Sequence, residues 1–148
     1  MKQLILLGIL AFLLHSCDMV TGTSKTTTSE KKVYDLYEPS EMANYMNAIY
    51  DLNESLKKDI KAGKIPAEFP EEILNIHSAE MSGNKSHNAT FKNFSHLFVE
   101  RVQILYDTTT TVPLEERYND VINLCLSCHQ SQCPGPLPRI RKLLITQE

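Results

Sequence analysis

The sequence predicts an all-α domain: an antiparallel four-helix bundle with a Pro-rich C-terminal extension. Three observations carry that expectation. Apolar residues recur at steps of three and four in four stretches, short polar connections separate them, and no stretch sustains period-two alternation. Length and composition agree, since 148 residues suit one domain and 42% apolar with 22% charged residues is an ordinary globular balance. Disordered and collagen-like classes are thereby excluded. The net charge of −3 argues against a nucleic-acid partner, which calls for a basic excess.

The N-terminal element reads as an address. Met1-Lys2-Gln3 gives a short positive start, and Leu4 to Leu14 is an apolar core. That core has the length of a signal-peptide h-region and falls short of the ~18 residues of a membrane-spanning helix. Leu14-His15-Ser16-Cys17 resembles the lipobox of bacterial lipoprotein signals, with His15 unusual at its position. The resemblance implies removal of residues 1–16 and lipid on Cys17. A plain secretory signal is the other reading, and both place the chain outside the cytoplasm. Residues 17–33 follow as the lipidated Cys and a Thr/Ser-rich flexible tether. The folded domain is expected over 34–148.

Pro39 and Ser40, flanked by Glu38 and Glu41, mark the start of the first helix. Its stripe is Met42, Tyr45, Met46, Ile49, Asn53, Leu56 and Ile60, with Leu52 alongside, and Gly63 and Pro66 end it. Phe69-Pro70-Glu71-Glu72 opens a second, shorter helix bearing Ile73, Ile76, His77 and Met81. Ser82 to His87 is a polar break. Asn88 or Thr90 caps the third helix, whose stripe is Phe91, Phe94, Phe98, Val102 and Leu105, flanked by Leu97. Pro113 suits the start of the fourth, where Leu114, Tyr118, Val121, Cys125, Cys128 and His129 share a stripe. His77 lies nearest an apolar face, whereas His87 and His96 read as exposed. The Asn-x-Ser/Thr matches at Asn53, Asn84, Asn88 and Asn93 read as chance in a chain so rich in Ser and Thr.

Cys17, Cys125, Cys128 and Cys133 are too few and too bunched for a disulfide scaffold. Cys125-Leu126-Ser127-Cys128-His129 is C-x-x-C-H, the attachment pattern of c-type haem. Positions i, i+3 and i+4 share a helix face. Two thiols can then meet the two vinyl groups of a haem while the histidine meets its iron. Because these residues extend the apolar stripe of the fourth helix, a haem there would replace core volume. Cys133 extends the run to C-x-x-C-H-x-x-x-C, so Cys125, Cys128, His129 and Cys133 are also candidate zinc ligands. Structural zinc sites usually draw on two separated pairs, and this is a single run. A thioredoxin-like motif would sit beside a βαβ unit, and an iron–sulfur set lacks its fourth cysteine once Cys17 is lipidated. One covalent haem c is the favoured cofactor.

A secreted four-helix bundle with C-x-x-C-H late on its last helix resembles the cytochrome c′ class, including its low-spin relatives. The resemblance spans Glu38 to about Gln130 and is specific at Cys125, Cys128 and His129. It implies covalent haem on the two cysteines, His129 as axial iron ligand, and a homodimer through the first two helices. In low-spin members a methionine early on the first helix is the second axial ligand. That position falls to Met46, with Met42 one turn away as competitor; a histidine, or no protein ligand, is the other outcome. The stretch from Cys125 through Cys133-Pro134-Gly135-Pro136 to Arg139-Ile140 also resembles the endings of small haem lipoproteins of Bacteroidetes. The class usually ends soon after its motif, whereas this chain continues through three prolines to Glu148. Ile140, Leu143, Leu144 and Ile145 need burial, so the tail is expected to fold back over the haem edge or the bundle end.

The expectation is a mono-haem c-type cytochrome lipoprotein carrying single electrons in the cell envelope. Its partners would be redox proteins of that compartment and, through the lipid on Cys17, the inner or outer membrane on its periplasmic face. Phe94, Phe98 and Val121 would exclude water from the haem. Two alternatives stay open: a gas-binding protein with open iron, taking up nitric oxide or carbon monoxide, and a zinc-stabilised interaction lipoprotein. No acid/base or nucleophile constellation accompanies the motif, so an enzyme is not expected. Cys133 is a spare sulfur, either a thiol, a tail contact or half of an intermolecular disulfide.

Overall fold

The computed structural model describes residues 38–66 and 68–146. The signal segment, Cys17 and the tether lie outside the described residues. The fold is all-α, with no strand among the described residues. Helix α1 spans Glu41–Lys61, a 3-10 helix spans Glu71–His77, α2 spans Ala89–Tyr106, α3 spans Leu114–Gln132, and a short α4 spans Leu137–Arg141. No helix among the described residues is long and apolar enough to cross a membrane.

Local chemistry places each boundary. The Ser40 hydroxyl accepts a hydrogen bond from the Ala43 amide at 3.2 Å, and Glu41 sits in the first turn, where the helix dipole favours an acid. Lys58 and Lys61 occupy the last turn, and Gly63 takes φ +73° just beyond it, a conformation that favours glycine. Of the two caps open to α2, Asn88 is used: its side chain accepts from the Phe91 amide at 2.8 Å. The second expected helix is a 3-10 helix of about two turns rather than an α-helix. The tighter form suffices to bury Ile73 and Ile76.

The core joins the expected stripes. Met42, Ile49, Leu56 and Ile60 of α1 are buried, as are Phe91, Phe98, Val102 and Leu105 of α2 and Tyr118 and Val121 of α3. Three placements differ from expectation, and the first is Met81, which lies beyond the end of the 3-10 helix at His77 rather than on it. Leu97 is 41% exposed, because the buried arc of α2 turns instead through Ser95 and Val99. His87 is half-buried rather than exposed, with its ring edge-on to Phe91 at 5.0 Å between centroids.

Arg117 is buried against the end of α2. Its guanidinium donates to the carbonyls of Ile104, Leu105, Asp107 and Val112 at 2.8–3.0 Å. Three of these groups lie at the C-terminus of α2, where helix carbonyls lack partners of their own.

The tail folds back, as its apolar residues require. Ile140, Leu143 and Ile145 are buried, and hydrogen bonds fix their register. The Tyr118 hydroxyl donates to the carbonyls of Asn53 at 2.9 Å and Leu143 at 3.1 Å. Asn119 pairs with both backbone groups of Ile145 at 2.8 and 2.9 Å. The Lys57 ammonium caps the carbonyls of Lys142 at 2.8 Å and Leu144 at 2.7 Å. Arg139 lies 3.6 Å over the Tyr50 ring and donates to Asn47 at 2.8 Å. Pro138 falls in the first turn of α4, where a missing N–H costs no helical bond.

Candidate functional site

The C-x-x-C-H run lies in the second half of α3, with Cys125, Cys128 and His129 half-buried. Beside it opens a cleft of about 910 Å3, within the ~300–1,000 Å3 span of small-molecule and cofactor sites. Its apolar wall is rich in sulfur: Met42 and Met46 come from α1, Met81 from the segment after the 3-10 helix, and Phe91 from α2. Cys128, His129 and Cys133 form the opposite wall, continued by Pro134 to Pro136. Cys125 lines not this cleft but two smaller cavities of about 50 and 90 Å3. Met46 and His129 line all three. Met42 borders only the large cleft.

Two sets of contacts frame the cleft. The Ser40 and Ser82 hydroxyls meet at 2.6 Å, the Met42 amide donates to the Glu80 carbonyl at 2.9 Å, and the Glu80 amide donates to Glu41 at 2.8 Å. Together they pin the segment carrying Met81 to the start of α1. On the other side, the Lys85 ammonium donates to the Gln132 carbonyl at 2.6 Å, and the Asn88 amide to the Gln132 side chain at 3.3 Å. Lys85 is the single Lys, Arg, Asp or Glu among the described lining residues.

The state of His129 follows from its neighbours. Nδ1 lies 3.2 Å from the Cys133 carbonyl oxygen, which can only accept, so Nδ1 carries the proton and Nε2 keeps its lone pair. The Cys133 sulfur also lies 3.2 Å from Nδ1, which makes Cys133 a local partner of His129. Burial holds the imidazole below the ordinary histidine range, and the nearby Lys85 charge adds to this, while the Cys133 hydrogen bond opposes it. A neutral imidazole held through its other nitrogen is the form in which histidine ligates metals. Burial likewise pushes the Cys125 thiol up to about 12 and the Cys128 thiol up to about 11, with the neighbouring sulfur adding to each rise.

The donor set suits a haem. A neutral histidine, thioether sulfurs, two cysteines on one helical face and aromatic walls are the chemistry that such a group uses. One buried polar atom also awaits a partner: Nε2 of His87, on the segment that edges the cleft, has none among the described residues. The zinc set is less well gathered. Cys133 and His129 touch, yet among the described residues no group of three or more His, Cys, Asp or Glu side chains is placed to hold a metal ion.

Of the aromatic and aliphatic neighbours expected at the site, Phe94 and Phe98 line the 50 Å3 cavity. Val121 instead packs fully within the core, one turn before Cys125. Met81 and Lys85 were missed as site residues: Met81, expected on the second helix, lies beyond its end at His77, and Lys85 sits in a non-periodic stretch where spacing carries no signal. The chain matches no protein-family model, no curated protein and no solved structure.

Proposed function

We propose that this chain is a lipid-anchored, mono-haem c-type cytochrome that carries single electrons in the cell envelope. Its three long helices and 3-10 helix would act as an antiparallel four-helix bundle resembling the cytochrome c′ class. The observation that carries this reading is the shared placement of Met46 and His129. They come from different helices, and both line every cavity that Cys125 or Cys128 borders. That juxtaposition favours Met46 over Met42 as the second residue that would hold the iron.

A haem bound there supplies a one-electron iron couple, which His/Met ligation raises in potential and closes to outside ligands. The chain's own residues do the rest. Cys125 and Cys128 would tether the ring, and the Cys133 carbonyl keeps Nδ1 of His129 protonated, leaving Nε2 for iron. Phe91, Phe94 and Phe98 exclude water. Lys85, the lone cation of the cleft lining, would offset the carboxylates of the group. Redox proteins of the envelope would be the partners, and lipid on Cys17 the membrane anchor.

The test uses the full chain produced alongside a haem-attachment system. Haem should stay with the polypeptide through acid–acetone extraction, and the ferrous spectrum should be indifferent to carbon monoxide. A ready shift with carbon monoxide would transfer the protein to the gas-binding reading. Haem lost to the acetone would overturn the cytochrome reading, and zinc analysis of the same sample would then test Cys125, Cys128, His129 and Cys133 as ligands.

A further inference from the structure

Away from the cysteine motif, two exposed histidines from different elements meet. His77 ends the 3-10 helix and His96 lies on α2; their ring centroids are 4.7 Å apart and their planes tilt by 35°. Each follows a residue that lines the 50 Å3 cavity, Ile76 and Ser95 respectively.

Hydrogen bonding fixes which nitrogen of His77 is free. Ser95 is buried, and its only hydroxyl proton goes to the Lys92 carbonyl at 2.9 Å. With the proton so placed, its oxygen, 3.1 Å from Nδ1 of His77, accepts from that nitrogen. Nδ1 carries the proton, and Nε2 keeps a lone pair. Desolvation, and then the neighbouring His96, lower the proton affinity of His77, so the neutral form prevails at neutral pH. The His96 ring makes no hydrogen bond among the described residues.

We propose that His77 and His96 form a two-imidazole binding site for a borderline divalent transition-metal ion, with Nε2 of His77 as first ligand. Histidines that ligate metals normally give their second ring N–H to a fixed acceptor, and Ser95 is that acceptor here. Imidazole pairs suit nickel, copper and zinc, with copper held most strongly along the divalent series. No third His, Cys, Asp or Glu joins the pair among the described residues, so water completes the coordination and the ion exchanges freely. A bound ion would clamp the 3-10 helix to α2. The cysteine motif takes no part, so the site stands or falls independently of haem.

A titration of the full chain with Ni2+, followed by NMR of the imidazole resonances, tests this. Paramagnetic broadening is local, so binding at the thiols is read separately. The His77 and His96 signals should broaden together and saturate at one ion. His96→Gln, a surface change that leaves the fold intact by circular dichroism, should raise the Ni2+ midpoint at His77 at least about tenfold, equivalent to about 1.4 kcal/mol. Ser95→Ala should raise it by less, because the tautomer is then free. An unchanged midpoint in His96→Gln overturns the proposal, as does broadening of one of the two rings without the other.

Discussion

The two ends of α3 are built from the same helix and differ in how they are finished. At the Leu114 end, Tyr118, Val121 and Ile122 are fully buried, and Arg117 and Tyr118 satisfy carbonyls from α1, α2 and the tail. At the Gln132 end, Cys128, His129, Met46 and Met81 are half-buried around a cleft, and the half-buried Cys125 lines two smaller cavities beside it. The first end is a closed core whose polar groups find partners within the chain. The second presents sulfur and a neutral imidazole to open space, with the buried Nε2 of His87 left without a partner among the described residues nearby. Stability is thus concentrated where no chemistry is available, and soft ligands gather where packing is incomplete.

Truncation at the closed end should break the comparison most visibly. Ile122→Ala removes a side chain with no exposed surface and should cost about 2–5 kcal/mol, read from the midpoint of urea unfolding. A cost under 1 kcal/mol would mean that this end can collapse to fill the gap, and that it is not the rigid half of the molecule.

Next comes the alkaline limb of stability in the chain with free thiols. Cys125 and Cys128 are raised from 9.0 to about 12 and about 11, so the folded state keeps protons that the unfolded state gives up. Stability should therefore be full below pH 9, fall as pH rises above it, and be lost through the folded values. Burial raises Tyr45 and Tyr118 as well, from an ordinary value of 10.0. In the Cys125→Ser/Cys128→Ser chain the decline should accordingly start about one pH unit later. Unfolding midpoints measured from pH 8 to pH 11 check this, and identical curves for the two chains would remove the thiols as its cause.

Tyr118→Phe should cost less, about 1–3 kcal/mol, since it strips one donor from two buried carbonyls while leaving the ring packed. The loss should be felt at the tail. Hydrogen exchange at Leu143 to Ile145 should accelerate more than exchange in α2. Equal acceleration in both would show that the tail is not a separately tethered layer.

How much of this was legible depended on whether a residue's role was local. The α1 stripe, the Ser40 cap and the alignment of Cys125, Cys128 and His129 follow from helix periodicity, which acts within a few residues. Arg117 was not legible: a charged residue reads as surface until the carbonyls that end α2 are known to lie against it. The same holds for Lys85, in a stretch without periodicity, and for Met81, which helical spacing assigned to a helix that ends at His77; contacts with α1 and α3 hold their segment at the cleft. His77 and His96 each read as an isolated histidine, because their meeting depends on how the 3-10 helix docks on α2.

Met46→Leu gives the smallest change in stability and the sharpest test of the open end. Leucine conserves the volume and apolar character of methionine, so unfolding of the haem-free chain should shift by under about 1.5 kcal/mol. The haem-loaded chain should respond quite differently, because leucine has no sulfur to offer iron. Its ferrous spectrum should become sensitive to carbon monoxide while the haem stays covalently attached, and Met42→Leu should leave the spectrum unchanged. Should Met42→Leu open the iron instead, the ligand lies one turn earlier on α1, in the residue that borders only the large cleft. An iron closed in both variants points to Met81 or His87, and so to a ligand from the segment between the 3-10 helix and α2.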